Sequence, residues 1–110
     1  MRASNLKIQF LRRRACAAQA GRCFYCLQPM GRDVTAEHLV ARMDGGKDAR
    51  GNIVAACRRC NAGRHALFPA GAPEPETYQA FVLLMCSAGL WPQRQAQKMT
   101  RRSGSKGSST

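Results

Sequence analysis

The sequence has no run of 18 or more apolar residues, which excludes an ordinary membrane-spanning helix. Its N-terminus lacks the continuous apolar core of a secretory signal. Cys23 also comes too early for the first 20 residues to be a disposable leader. A cytoplasmic location without a membrane partner is therefore expected. Acidic residues are scarce: 6 Asp+Glu stand against 18 Lys+Arg, and none precedes Asp33. The formal charge of +12 favours a polyanionic partner. Charge alone does not separate DNA from RNA or an anionic membrane. Histidine is rare as well, with only His38 and His65. No internal repeat is present, so a repeat architecture is excluded.

Cysteine is not scarce. Four of the six fall in two C-x2-C pairs, Cys23/Cys26 and Cys57/Cys60. Two thiolates on one tight turn converge on one ion, so this spacing points to a tetrahedral zinc site rather than to disulfides. At 110 residues the chain is one domain by length, and its limited core would gain from such a staple. Cys16 and Cys86 are left over and are read as small buried apolar residues.

Taken in order, residues 5–20 read as a helix. Leu6, Phe10, Leu11, Ala15 and Ala18 form its apolar stripe, and Gly21 is its stop. Arg12, Arg13 and Arg14 fall on or near the opposite face as possible phosphate contacts. Residues 22–32 form the first metal knuckle. Val34 to Val40 reads as a strand, followed by a polar loop with Gly45, Gly46 and Asp48 as turn formers. Ile53 to Ala56 is a second strand, and a helix runs from Arg58 to about Phe68, before Pro69. After a Pro/Gly linker, residues 76–88 form an apolar helix expected to pack on the first. Pro75 and Glu76 suit its start, and Gly89 its end. From residue 95 the composition turns to Gln, Ser, Gly and basic residues, including Lys98, Arg101, Arg102 and Lys106. This reads as a disordered basic tail. The organisation is thus a domain over 1–94, with its zinc-bearing core at 22–68, and a tail over 95–110.

About 30 residues separate Cys26 from Cys57, more than the roughly 15–20 of a zinc ribbon. The gap holds Glu37, His38 and Asn52. A neutral imidazole is suited to take a proton from water, which makes His38 the candidate general base. Glu37 can offer an oxygen to a divalent metal. In a regular strand these neighbours point to opposite faces, so their cooperation calls for a bend at the strand end. Asn61 and His65 lie four apart on the expected helix and share one face. Either or both could complete the metal site.

Glu37-His38-Leu39, Gly45-Gly46, Asn52-Ile53 and Cys57-x2-Cys60-Asn61 occur in this order. Over about residues 23–65 this set resembles the HNH endonucleases. The resemblance implies an α+β fold: a small ββα-metal domain with flanking helices, stapled by a four-cysteine zinc site. It implies metal-dependent cleavage of DNA to a 5′-phosphate and a 3′-hydroxyl. His38, Glu37, Asn52 and Asn61 would be the catalytic set, with Asn52 pinning the loop. Glu37, Asn61 and His65 would hold magnesium or another divalent metal, beside structural zinc on Cys23, Cys26, Cys57 and Cys60. It also places the Asn61 helix near the minor groove, with Arg58, Arg59 and Arg64 as phosphate contacts. Glu37 stands where Asp is commoner, Ala41 where many members have Pro, Ala56 where many have Leu, and Arg64 where Lys is common. The two alanines suggest a looser hairpin. The alternative reading is a non-catalytic, zinc-stapled basic module that binds DNA or RNA. One such site cuts one strand, and the sequence leaves a monomer and a weak dimer both open.

Overall fold

A computed structural model describes residues 3–92 and the side chains from Leu6 onward. The expected basic tail lies outside the described residues. Among the described residues the helices and strands are α1 (Ala3–Ala18), β1 (Thr35–His38), β2 (Ile53–Ala56), α2 (Arg58–Ala66) and α3 (Pro75–Ser87), with two short 3-10 turns between the strands. Together they form a small α+β domain, two antiparallel strands packed against helices around a buried four-cysteine cluster.

α1 ends where Gly21 enters the left-handed region at φ 76°, and the Gly21 N–H closes on the Cys16 carbonyl at 2.8 Å. Only the middle of the expected stripe faces the core, and Ala18 at its end is exposed. Leu11 is buried and Ala15 packs inward, but Leu6 and Phe10 are exposed. Phe10 instead lies under the Arg14 guanidinium at 5.8 Å.

The strands pair antiparallel, with Thr35 opposite Ala56 and His38 opposite Ile53. An isolated two-stranded hairpin is marginal in water, so its exposed surfaces must be covered. α1 packs across both strands. The Gln19 side chain then pairs with Ala55 as a strand would, donating to its carbonyl at 2.8 Å and accepting its N–H at 2.9 Å. The β1–β2 connection turns on its two adjacent glycines. Gly45 takes φ 91°, and a Cβ on Gly46 would collide with the Val40 carbonyl.

α2 starts directly after Cys57. α3 carries Pro75 in its first turn and ends at Gly89 (φ 75°), where the Leu90 N–H reaches the Met85 carbonyl at 2.8 Å. α3 was expected to pack on the first helix. It seats its buried Tyr78 and Val82 chiefly on the cysteine cluster instead. The Tyr78 hydroxyl donates to the Cys60 carbonyl at 2.7 Å, and its ring meets Tyr25 edge-on at 4.9 Å. Gly63 leaves room for that hydroxyl, since a Cβ there would lie 2.6 Å from it. The two apolar helices therefore occupy separate seats on one core.

Candidate metal centre and active site

The four sulfurs of Cys23, Cys26, Cys57 and Cys60 lie within 4.8 Å of one another, and all four residues are buried. A tetrahedral ion with bonds of about 2.3 Å spaces its sulfurs ~3.8 Å apart, so the cluster fits zinc. Local backbone supports it: the N–H groups of Tyr25, Cys26 and Cys57 point at the Cys23 sulfur at 3.3, 3.5 and 3.4 Å. The neighbouring Cys26, Cys57 and Cys60 thiols hold the Cys23 pKa far below the ordinary thiol value. The Cys23 and Cys26 side chains in turn push Cys60 and Cys57 up. The Cys26 pKa is lowered as well, so the first knuckle favours ionisation while the second resists it.

Glu37 projects from β1 toward α2 and is 2% exposed. Its Oε2 accepts from the Tyr25 hydroxyl at 2.8 Å and from Arg64 Nη1 at 2.7 Å. Burial, then the Glu37 charge, push the Tyr25 phenol pKa well above its ordinary value, so it stays a donor. Oε1 faces His65 Nε2 at 3.0 Å, and the His65 side chain is exposed. Asn61 turns its amide hydrogens inward, to Thr35 Oγ1 at 2.9 Å and the Ala36 carbonyl at 3.4 Å. Its Oδ1 is the atom left for a metal. A carboxylate oxygen, an imidazole nitrogen and an amide oxygen are suitable ligands for a divalent ion completed by water.

β1 keeps its regular register through His38, and the Leu39 N–H continues it to the Asn52 carbonyl at 2.9 Å. The expected bend between Glu37 and His38 is absent, because the ladder runs past both. His38 points instead to the loop, where Nε2 meets Asp48 Oδ1 at 2.8 Å. A carboxylate can only accept there, so Nε2 carries the hydrogen, and in the neutral ring Nδ1 has the lone pair. Asp48 also takes both arms of Arg42, at 3.2 and 3.1 Å. His38 and then Arg42 hold the Asp48 pKa below its ordinary value. Asn52 stitches the loop shut. Its Oδ1 accepts the Val40 N–H at 2.8 Å, and its Nδ2 donates to the Val40 and Lys47 carbonyls at 2.9 and 3.0 Å.

Residues 23–67 match the family model described as HNH endonuclease. The chain carries an HNH endonuclease domain. No curated protein matches it.

The basic residues expected to contact phosphate divide. Arg64 was expected as a phosphate contact, and the structure corrects that. It is 5% exposed, and its guanidinium is spent on Glu37 and on the carbonyls of Pro73, His38 and Leu39 at 2.9, 3.3 and 3.2 Å. Helix periodicity alone could not show this, because the partners come from β1 and the linker. Arg58 is exposed, with Asp33 Oδ1 3.6 Å from its Nε. Arg59 lines an apolar groove between α2 and α3. The Arg12–Arg14 triplet splits. Arg12 and Arg13 share a depression of about 240 Å³ with Arg32, whereas Arg14 lines a different depression together with Arg50.

Three residues of the HNH domain are not marked by the sequence as parts of the site. Tyr25 looks like knuckle filling, Asp48 like a turn former, and Arg32 like an isolated surface charge. For Asp48 a signal exists: a carboxylate two residues after Gly-Gly, in the loop that must fold back over His38.

Proposed function

We propose that this domain is a metal-dependent DNA endonuclease in which His38 is the general base. The observation that carries the reading is the pairing of His38 Nε2 with Asp48 at 2.8 Å. It leaves Nδ1 as the proton acceptor and fixes the ring. His38 takes a proton from water as the water oxygen attacks phosphorus. The bond from phosphorus to the 3′ oxygen breaks, and that oxygen leaves as a 3′-hydroxyl once protonated, with the phosphate retained on the 5′ end. Glu37 Oε1, His65 and the Asn61 amide oxygen would hold a divalent ion such as magnesium, which would supply positive charge for the leaving oxygen. Asn52 keeps the loop, and with it Asp48, against His38. Arg12 and Arg13, with Arg32, bind backbone phosphates, as does exposed Arg58. Structural zinc on Cys23, Cys26, Cys57 and Cys60 holds the two knuckles together.

Two observations favour the alternative of a binding module without cleavage. β1 runs regularly through Glu37 and His38, without the bend that their cooperation calls for. Glu37 is buried and paired with Arg64, as a purely structural carboxylate would be. Supercoiled plasmid separates the two readings. In magnesium or manganese the wild type should nick it, and His38→Ala should lose about 10²–10⁴-fold in rate. Asp48→Asn, with the same volume, should lose activity while folding normally. Retardation of the plasmid by wild type and His38→Ala alike, without nicking in any metal, would establish the binding module.

A further inference from the structure

One side chain joins the two metal sites. Tyr25 lies between Cys23 and Cys26, is fully buried, and donates its own N–H to the Cys23 sulfur at 3.3 Å. Its hydroxyl donates to Glu37 Oε2 at 2.8 Å. The ring is fixed edge-on by Phe24 at 5.2 Å and by Tyr78 at 4.9 Å. Tyr78 is itself anchored on the Cys60 carbonyl at 2.7 Å. One ring contact on Tyr25 thus comes from within the first knuckle, and the other from a tyrosine bonded to the second. Glu37 Oε2 receives its second donor, Arg64, from α2, which begins at the second knuckle. With Tyr25 and Arg64 both on Oε2, Oε1 is the oxygen nearer His65 Nε2, at 3.0 Å against 3.3 Å for Oε2.

We propose that Tyr25 is a positioning residue through which the four-cysteine site sets divalent-metal affinity at Glu37. The proposal rests on the reading of Glu37 as a ligand of the divalent metal. Zinc rigidifies both knuckles. The knuckles aim Tyr25 and Arg64 at one oxygen of Glu37, and the carboxylate is locked so that it offers the other. Groups that orient a metal ligand from behind are worth about 10–100-fold in metal affinity. By linkage, a divalent ion at Glu37 must in turn be felt at the thiolates.

The test is a manganese titration of the zinc-loaded protein, with free Mn2+ read by electron paramagnetic resonance. Tyr25→Phe keeps the ring and removes only the donor. Its Mn2+ affinity should fall at least about tenfold, with zinc content unchanged. Unchanged Mn2+ affinity in Tyr25→Phe overturns the proposal, even if its Tm drops, because a merely structural hydroxyl would move the Tm alone. Glu37→Gln is titrated in parallel. If it binds Mn2+ as well as wild type, Glu37 is not the ligand, and the functional reading fails with the proposal. If only Glu37→Gln loses binding, the reading stands and the Tyr25 link falls. A second measurement covers the case in which Tyr25→Phe does not fold. With cobalt replacing zinc in the wild type, the cobalt–thiolate absorption bands should shift on adding magnesium, and should not shift in Glu37→Gln. Bands indifferent to magnesium in the wild type overturn the coupling.

Discussion

Arg64 shows how one buried side chain organises the site. Its guanidinium and the Glu37 carboxylate are 6% and 3% exposed and 2.7 Å apart. Such a pair contributes little net stability when whole, but removing one partner strands the other charge in a low-dielectric interior. Arg64→Ala should therefore cost roughly 3–5 kcal/mol, a fall in Tm of more than about 10 °C for a domain of this size. A phosphate-binding arginine would behave differently, its removal weakening DNA binding and leaving the thermal melt in place. Thermal unfolding followed by circular dichroism distinguishes the two. Asp48 works at the same scale on the opposite face of β1. It accepts from His38, and Arg42 holds it from behind. The two neighbours Glu37 and His38 thus have separate supports, one in the core and one in the loop.

At the scale of elements, the hairpin connection matters more than the strands. Each strand is only four residues long, and Asn52 does much of the loop's hydrogen bonding with one amide. Gly-Gly has a physical reason here. The first glycine takes a positive φ, and the second passes so close to the Val40 carbonyl that no side chain fits. Gly46→Ala should force the loop outward and loosen the Asn52 bridge to Val40. We expect a cost of about 1–3 kcal/mol from the overpacking, read by urea unfolding, and a larger loss of nicking than of stability. The second effect follows because Asp48 lies two residues further on. The motif that carries the family resemblance is therefore largely loop mechanics. Its glycines and Asn52 shape the loop that brings Asp48 onto His38.

At the scale of the whole molecule, the proposed zinc staple would carry much of the stability. The core is arranged around four cysteines, with Tyr25, Tyr78, Val82 and Trp91 packed against them. Cys57→Ser should unfold the domain rather than slow it, because the metal's binding free energy is part of the folding free energy. A folded, zinc-free Cys57→Ser protein by circular dichroism would contradict this. Charge is the other global property. Arg12, Arg13 and Arg32 gather around one depression, and like charges converge at an electrostatic cost that an anion relieves. Arg32→Gln should make the slope of log affinity against log salt shallower by about 0.9 for each phosphate it no longer neutralises. Lys7→Gln, an exposed charge on α1, serves as the control and should change it less.

The sequence by itself determined what local chemistry controls. Cysteine spacing marked both knuckles, turn formers marked the loop, and Pro75 and Gly89 bounded α3 to within a residue or so. The order of Glu37-His38, Gly45-Gly46, Asn52 and Cys57-x2-Cys60-Asn61 was enough to indicate the family. Only the tertiary structure decided which side chains these elements bring together. It buried Arg64 on Glu37, aimed Tyr25 at the same oxygen, folded Asp48 onto His38, and split Arg12 and Arg13 from Arg14. It also seated α3 on the cysteine core, although its apolar run had pointed to α1. The reason is one of range. Caps, turns and knuckles are settled within a few residues, where spacing can be read directly. The partners of Glu37 come from residues 25, 64 and 65, and their meeting depends on strand register and on the setting of α2 against the sheet. No local pattern encodes those two quantities, because packing of the whole core sets them.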